Sequence, residues 1–210
     1  MTVDEIVGRV RDRSTRLASG LPVSHLPADS DFSLNGVVPL PDKWRPAAVL
    51  IPLVNRASGV TVLLTQRTED MPSHAGQVAF PGGRRDERDV DAADTALREA
   101  EEEVGLARHF VEVVGAVDLY RTGTGFEITP VVGFVRPGFE LRLDATEVQD
   151  TFEVPLSYVF EPSNHRLRRR RFGFGEAEVE LCDIPYGERY IWGATAGMLL
   201  TLYRLVSGDP

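Results

Sequence analysis

Cysteine is nearly absent from this sequence of 210 residues: the only one is Cys182, so no disulfide can form within the chain. A chain without disulfides is typical of a reducing compartment. Long apolar runs are missing too, because no stretch approaches the roughly 18 residues of a membrane span. The amino-terminal segment lacks the apolar core of a secretory signal. We therefore expect a soluble cytoplasmic protein without a membrane partner.

Positive charge is also scarce, with 23 lysines and arginines against 32 aspartates and glutamates and a formal net charge of −9. This balance argues against a protein that coats nucleic acid, so we expect no nucleic-acid partner. An anionic substrate would need local help from a metal ion or from arginines. The remaining composition, 42% hydrophobic and 26% charged, is that of a globular chain with a core of its own.

The amino-terminal quarter of the chain divides into a helix and an arm. Thr2 and Glu5 have capping-box spacing, and apolar residues recur at helical spacing after them. Residues 20–46 are rich in proline, serine and aspartate and predict an irregular arm or connector. We therefore divide the chain into a helix and arm, residues 1–46, and a main domain, residues 47–210.

The rest of the chain interleaves predicted strands and helices. Residues 47–54 and 60–64 predict a hairpin, and residues 111–117 and 128–135 predict two further strands around a glycine-rich loop. A strand or turn follows near residues 152–160. Residues 178–182 alternate weakly, and residues 194–206 predict a closing helix. This order predicts an α/β fold in which helices pack on a mixed β-sheet.

An acidic helix is predicted over residues 91–104. One arc of about 100° carries alanines, Leu97 and Val104, and another carries Glu99, Glu102 and Glu103. Carboxylates three and four residues apart on one face repel each other. Hard divalent cations prefer oxygen ligands, so a Mg²⁺ or Mn²⁺ site is one interpretation of this arc. A solvated acidic helix face is the other.

The surroundings of the helix favour the metal site. Gly82 and Gly83 follow a proline and supply backbone that can approach a ligand closely, and Gly105 is placed to end the helix. Arg98 is placed to pair with the carboxylates. The run REAEEEVGL, residues 98–106, resembles the second half of the Nudix box, the sequence motif of the Nudix hydrolases.

The first half of that box departs from the family pattern. Gly83 and Arg98 are separated by one residue more than in the family. The position of an expected glutamate is held by Val90, which Asp89 and Asp91 flank. We interpret this as an insertion of one residue, with a neighbouring aspartate in the orienting role of the missing glutamate.

The resemblance implies an α/β/α sandwich with a mixed β-sheet and metal-dependent hydrolysis of a nucleoside diphosphate derivative. The implied metal is Mg²⁺ or Mn²⁺, with a backbone carbonyl of Gly82 or Gly83 as a further ligand. Arg98 would orient a carboxylate of the box. The implied metal ligands are Glu99, Glu102 and Glu103.

A second resemblance concerns the substrate. LLTQR (residues 63–67) and HAGQVAFPGG (residues 74–83) are similar to the additional signature of the coenzyme A pyrophosphatase branch of the family. Thr68 and Pro72 depart from that signature. The resemblance implies a small, coenzyme A-like nucleotide substrate. The residues of the signature that we expect to contact it are Arg67, Gln77, Phe80, Gly82 and Gly83.

The general base is left open between a glutamate of the box, Glu102 or Glu103, and an acid from a later loop. Glu147 is the candidate for the later acid, and a plain surface glutamate is the competing interpretation. Arg67 is either a substrate contact or a surface arginine. His74 is either a catalytic or substrate-binding group or a loop histidine with a structural hydrogen bond.

Three other features have competing interpretations. The arginine run at residues 168–171 is either a solvated loop or edge strand, which base rates favour, or a phosphate-binding patch. Trp192 and Tyr190 either stack on a substrate or pack in the core, and we expect core packing. Cys182 has no neighbouring residues that suggest nucleophilic catalysis, so it is expected to be structural.

Two alternatives to a coenzyme A hydrolase remain at this stage. One keeps the reaction and changes the substrate to ADP-ribose, NADH, a dinucleoside polyphosphate or a capped RNA end. The other is a module that binds a nucleotide without cleaving it. The sequence does not fix the oligomeric state and is compatible with a homodimer.

Overall fold

The computed structural model describes residues 2–18, 42–71, 74–171 and 178–208. Most of the predicted arm and Pro72 lie outside these residues. Within them, no helix has the length and apolar character needed to cross a membrane.

Four α-helices are described. The first and the last are long, the second is the predicted acidic helix, and the third is a single turn. Their bounds are α1 Val3–Ala18, α2 Ala92–Val104, α3 Leu156–Val159 and α4 Gly193–Ser207.

Eleven strands lie in the described part of the chain. In chain order they are β1 Arg45–Arg56, β2 Gly59–Arg67, β3 Val78–Ala79, β4 Gly82–Arg84, β5 Val111–Ala116, β6 Tyr120–Arg121, β7 Phe126–Val135, β8 Val148–Pro155, β9 Arg166–Arg171, β10 Glu178–Tyr186 and β11 Arg189–Ile191.

The main sheet is mixed. Its path is β3-β2-β1-β7-β5, and β4, β6 and β8 pair with β1, β7 and β2. The central pair, β1 and β7, is parallel and in continuous register from Arg45 opposite Phe126 to Val54 opposite Val135. The other pairs are antiparallel, including the predicted hairpin of β1 and β2. A second sheet of three strands has the order β11-β10-β9.

Helices cover both faces of the main sheet. Alternate residues of β1 point to opposite faces, as the pleat of a strand requires. Ala48 and Leu50 pack with the alanines of α2, whereas Ile51 and Leu53 pack with residues of α1 and α4. The predicted α/β/α sandwich with a mixed sheet is therefore confirmed.

The first helix begins with the predicted capping box. The backbone N–H of Thr2 donates to the Glu5 carboxylate at 2.8 Å, and the N–H of Glu5 donates to the Thr2 hydroxyl at 3.3 Å. Ile6 and Val10 are fully buried in the core cluster that also contains residues of α4. The helix therefore packs directly on the sheet sandwich.

Two predicted segments differ in detail from the structure. The strand expected near residues 152–160 begins earlier, at Val148, and gives way to α3 after Pro155. The loop expected at residues 121–126 is shorter, because β6 pairs with β7 and leaves a tight turn closed by the Gly125 N–H to the Thr122 carbonyl. In both places, strand pairing extends the regular structure: β8 pairs with the distant strand β2, and β6 pairs with β7, the next strand along the chain.

Candidate active site

The acidic helix α2 is fixed at both ends by local contacts. The Asp91 side chain caps its amino terminus and accepts the Asp94 N–H at 2.8 Å. Gly105 ends it in the left-handed conformation, with φ of 70°. Ala96 and Ala100 are fully buried against the sheet. These contacts fix which arc of the helix faces the site.

The three glutamates of that arc are buried to different degrees. The Glu103 side chain is 5% exposed, that of Glu99 is 17% exposed, and that of Glu102 is 60% exposed. Burial raises the pKa of both Glu99 and Glu103, and for Glu103 the pKa is raised to about 7. The negative charge of Glu99 also raises the pKa of Glu103, and that of Glu102 raises the pKa of Glu99, because like charges repel. The inner part of the arc therefore favours an added positive charge.

Gly82 and Gly83 make room for these glutamates. A Cβ atom on Gly83 would lie 2.6 Å from the carboxyl carbon of Glu99. On Gly82 it would lie 2.5 Å from the Ala48 carbonyl oxygen. The Gly82 N–H donates to the Glu103 carboxylate at 3.2 Å. Only glycine at position 82 lets β4 lie this close to the backbone of β1, whereas a side chain at position 83 would displace the Glu99 carboxylate.

Arg98 organises the outer part of the site. Its guanidinium forms a bidentate pair with Asp89, at 2.9 and 3.0 Å, and its Nη1 also contacts Glu99 at 3.0 Å and Glu102 at 2.9 Å. These hydrogen bonds hold the pKa of Asp89 well below its usual range. Asp89 also accepts the Thr95 hydroxyl. Of the two candidate aspartates, Asp89 is therefore the one that pairs with Arg98, whereas Asp91 caps the helix.

Arg67 and Glu147 complete the cluster from the other side. Arg67 Nη1 lies 3.7 Å from Glu103, and its Nη2 lies 3.9 Å from Glu147. The Arg67 side chain is 18% exposed, and its Nε is buried without a hydrogen-bond partner among the described residues. The negative charge of Glu147 contributes to the raised pKa values of Glu99 and Glu103. The structure therefore brings Glu147 into electrostatic contact with the helix glutamates.

The loop that carries Glu147 is tied to α2 and β2. The Asp144 N–H donates to the Glu103 carbonyl at 2.9 Å, and the Thr68 N–H donates to the Glu147 carbonyl at 3.0 Å. These backbone bonds bring a residue far along the chain beside Glu103. Its position beside Glu103 follows from tertiary pairing.

The donor set suits a hard divalent cation. Its side-chain donors are carboxylate oxygens, two of them on residues whose pKa is raised mainly by burial. Among the described residues, no three acidic, histidine or cysteine side chains are already gathered around one point. Hydrogen bonds from Arg98 hold Glu99 and Glu102 in their present positions. A bound cation would compete with Arg98 for these two carboxylates.

A pocket of about 530 Å³ opens beside Gly82 and Gly83. Its walls are mostly apolar, and its ionisable lining residues are two arginines and a histidine without any acid. The lining residues are Ala47, Val49, Arg67, His74, Gln77, Val78, Ala79, Phe80, Gly82, Gly83, Arg84, Thr122, Gly123, Thr124, Phe126, Ile128, Leu181, Trp192, Gly193, Ala194, Thr195 and Met198.

The five predicted substrate contacts all line this pocket. Phe80 is buried and forms part of the core at the same time. Gln77 is held by His74, whose Nδ1 lies 2.9 Å from the Gln77 Oε1. His74 has a φ of 57°, a backbone conformation that residues other than glycine adopt infrequently. The histidine thus has a structural hydrogen bond and a place at the pocket, so both of its interpretations stand.

The expectation for Trp192 was wrong. Trp192 is half-buried and lines the pocket instead of packing in the core, because it lies at the turn from β11 to α4. Tyr190 donates its hydroxyl to the buried carboxylate of Asp183. The arginine run forms β9, an edge strand of the second sheet, as base rates suggested. Cys182 is buried, and burial raises the pKa of its thiol to about 11, as expected of a structural cysteine.

Sequence reasoning missed several pocket residues. Arg84, Phe126 and Leu181 come from three separate segments, and only the fold brings them together. The position of Arg84 directly after Gly83 was the one local signal available.

Comparison with known proteins gives concordant results. The NUDIX domain family matches residues 44–172. The protein described as "Uncharacterized Nudix hydrolase NudL" of Escherichia coli (strain K12) is 43% identical over 168 residues, covering 79% of this chain and 85% of the relative. Its namesake from Photorhabdus laumondii subsp. laumondii is 40% identical over 168 residues, covering 80% and 88%.

A solved structure supports the fold. The crystal structure of the Nudix hydrolase RenU from M. smegmatis has a TM-score of 0.54 and 19% sequence identity, covering 79% of this chain and 88% of that one. At this identity the likeness concerns the fold alone.

Proposed function

The chain belongs to the Nudix hydrolase family, whose members cleave nucleoside diphosphate derivatives, and from that premise we propose that its substrate is coenzyme A or acyl-CoA. Hydrolysis of the pyrophosphate bond would release 3′,5′-ADP and 4′-phosphopantetheine or its acyl derivative. The observation that carries the proposal is a mostly apolar pocket directly beside the two glycines of the carboxylate site.

The chemistry of the pocket supports this substrate. Coenzyme A joins a long, weakly polar pantetheine arm and an adenine to a pyrophosphate. Such a molecule needs apolar surface for the pantetheine arm next to a positively charged group for the pyrophosphate. A small polar nucleotide does not need the apolar surface. Arg67 provides the positive charge at the pocket. Its buried Nε has no hydrogen-bond partner among the described residues. Burying an unpaired guanidinium nitrogen is unfavourable until an anion binds it.

The carboxylates of α2 are the proposed metal ligands. Glu103, Glu99 and Glu102 would hold Mg²⁺ or Mn²⁺, with a carbonyl oxygen of Gly82 or Gly83 as a further ligand. Such an ion neutralises pyrophosphate charge and lowers the pKa of a bound water. Arg98, held by Asp89, would fix the orientation of Glu99 and Glu102 through its Nη1.

Glu147 is our proposed general base. Its carboxylate is 45% exposed, so water can reach it, and it lies 3.9 Å from Arg67. A base for hydrolysis must reach both solvent and the bound pyrophosphate. Glu103 is less suited to this role, because Gly82 and the nearby Arg67 already occupy its carboxylate.

A substrate panel tests the proposal. Purified protein is incubated with Mg²⁺ or Mn²⁺ and, separately, coenzyme A, acetyl-CoA, ADP-ribose, NADH, a dinucleoside polyphosphate and a capped RNA, and the products are identified chromatographically. We expect 3′,5′-ADP from the coenzyme A compounds at the highest kcat/KM. Cleavage of ADP-ribose with coenzyme A left intact would refute the substrate assignment.

A matched pair of variants separates catalysis from mere binding. Glu103→Gln removes a proposed ligand, and we expect kcat to fall by at least about 100-fold. Glu101→Gln changes a glutamate of the same helix that lies outside the glutamate arc and pairs with Arg108 at 3.6 Å, so its rate should equal that of the wild type. Equal rates in all three proteins would contradict the assignment of Glu103.

Two further parts of the proposal concern setting. We propose a cytoplasmic location because a single cysteine suits a reducing compartment. The homodimer stays a prediction, to be checked by light scattering of the purified protein.

A further inference from the structure

Arg84 differs from the other arginines around the site. In the segment that runs from β4 into α2, Arg85 donates to two backbone carbonyl groups, Arg88 pairs with a neighbouring aspartate, and Arg98 is held by three carboxylates. Arg84 lines the pocket, and its guanidinium has no hydrogen-bond or ion-pair partner in the described part of the chain.

The strand register gives the direction of the Arg84 side chain. On β4 and β1, Arg84 lies opposite Ala47 and Gly83 lies opposite Ala48. Directly opposed residues of an antiparallel pair point to the same face of the sheet. Ala47 lines the pocket, whereas Ala48 packs on the side of α2. Arg84 therefore points into the pocket, away from the helix glutamates.

The register also gives its place along the pocket. Ala47, opposite Arg84, pairs on its other side with Ile128, and Phe126 lies two residues before Ile128 on β7. Two residues of a strand span about 7 Å. The backbone of Arg84 thus lies about 7 Å from that of Gly82 along β4, in the direction of Phe126.

The positive charge of Arg84 is not neutralised by any described residue that lines the pocket. Of the ionisable residues that line the pocket, Arg67 faces Glu103 and Glu147, and His74 is held by Gln77. No acidic residue among the described lining residues neutralises Arg84. A guanidinium in such a place matches the geometry of a phosphate group.

We infer that Arg84 is a specificity determinant that binds a phosphate carried by the nucleoside part of the substrate, outside the pyrophosphate that is cleaved. The inference rests on the proposed function and narrows it to substrates with an additional phosphate on the ribose, such as the 3′-phosphate of coenzyme A. The scissile pyrophosphate has its own cation in Arg67, which also lines the pocket.

The test compares coenzyme A with dephospho-coenzyme A, which lacks only the 3′-phosphate. In Arg84→Gln, kcat/KM for coenzyme A should fall by about 10- to 100-fold, chiefly through KM, because a charge-assisted hydrogen bond is lost. The value for dephospho-coenzyme A should be unchanged. Arg84→Lys keeps the charge and should retain part of the preference, and the matched control Arg88→Gln should alter neither value.

Two outcomes overturn the inference while leaving the reaction intact. An equal loss on both substrates means that Arg84 contacts the cleaved pyrophosphate, and no loss on either means that it contacts neither phosphate. If the wild-type protein cleaves neither compound, the proposed function fails instead.

Calorimetry then tests Arg84 without turnover. With 3′,5′-ADP and 5′-AMP as probes, Arg84→Gln should weaken binding of 3′,5′-ADP alone. Unchanged affinity for 3′,5′-ADP, or an equal loss for both nucleotides, overturns the inference.

Discussion

Glu103 is a buried acidic residue and one of the proposed metal ligands. It is 5% exposed, and its partners are one backbone N–H and the guanidinium of Arg67 at a distance longer than a hydrogen bond. Burial outweighs both partners and raises the pKa to about 7. In the metal-free protein this residue therefore lowers stability near neutral pH, a common property of groups placed for function.

Removing the negative charge of Glu103 should restore the lost stability, by an amount that depends on pH. The ordinary pKa is 4.5, so the folded state holds the proton more tightly than the unfolded state. Stability therefore falls as pH rises from about 4.5 to about 7 and stays lower above. Glu103→Gln should raise the free energy of unfolding by up to about 3 kcal/mol at pH 8 and by about 1 kcal/mol at pH 5.

Urea unfolding with a chelator present, at both pH values, measures this difference. A stabilisation of the same size at pH 5 and pH 8 would contradict the assigned cause.

The pair of Asp89 and Arg98 marks where residue-level prediction stopped. The sequence indicated that an aspartate beside Val90 replaces the expected glutamate, and it offered Asp89 and Asp91 equally. In the structure, Asp89 is 5% exposed and holds Arg98, while Asp91 caps α2. The choice depends on how the loop before the helix folds back, and Val90 is 82% exposed as a result. Residue types and spacing do not contain that information.

At the scale of elements, α2 was predicted almost to the residue because its end signals are local. Asp91 and Gly105 stand directly beside the first and last turns. After the helix, the Gly105 N–H donates to the Glu101 carbonyl at 3.1 Å and the Leu106 N–H donates to the Ala100 carbonyl at 3.2 Å. These bonds satisfy carbonyl groups that a helix end leaves free.

Gly105→Ala should destabilise the protein. Its φ of 70° is unfavourable for a residue with a Cβ, and that atom would lie 2.9 Å from the Arg142 backbone nitrogen. We expect a loss of about 1 to 3 kcal/mol in the free energy of unfolding, measured by urea titration. Gly8→Ala is the control, because Gly8 lies within α1 with nothing near its Cβ position and should gain up to about 1 kcal/mol. Equal effects of the two substitutions would contradict the role of the left-handed turn.

Elements that depend on distant partners were less predictable. A short strand or a turn was expected near residues 152–160, yet pairing with β2 gives a strand from Val148 to Pro155. Trp192 was expected in the core because tryptophans usually pack there, but the turn into α4 leaves it at the pocket. Both differences come from contacts between segments far apart in the sequence.

At the scale of the whole molecule, the first helix shares the core of the sandwich. Ile6 is 1% exposed and Val10 is fully buried, in one cluster with Leu199 and Leu202 of α4. Arg13 adds an ion pair with Asp118, which follows β5. The division at residue 46 was drawn from composition and stays a prediction, but these contacts couple α1 to the stability of the rest.

Ile6→Ala should therefore lower the stability of the entire molecule. Truncating a buried isoleucine costs about 2 to 5 kcal/mol. The thermal transition should remain single and move to lower temperature, which calorimetry measures. Asp12→Ala, at an exposed position of the same helix, should shift it little. An unchanged midpoint, or a separate small transition for α1, would show that the helix is an independent appendage.

The parallel pair at the centre of the sheet affects how the chain folds as it is synthesised. β1 lies between β2 and β7, and β7 ends at residue 135. While the ribosome is still adding the intervening residues, one edge of the apolar strand β1 has no neighbour. Unpaired edges of this kind promote aggregation of nascent chains. The unpaired edge persists until residues 126–135 have been synthesised. A chaperone that shields the β1–β2 hairpin during this time should therefore improve the yield of soluble protein.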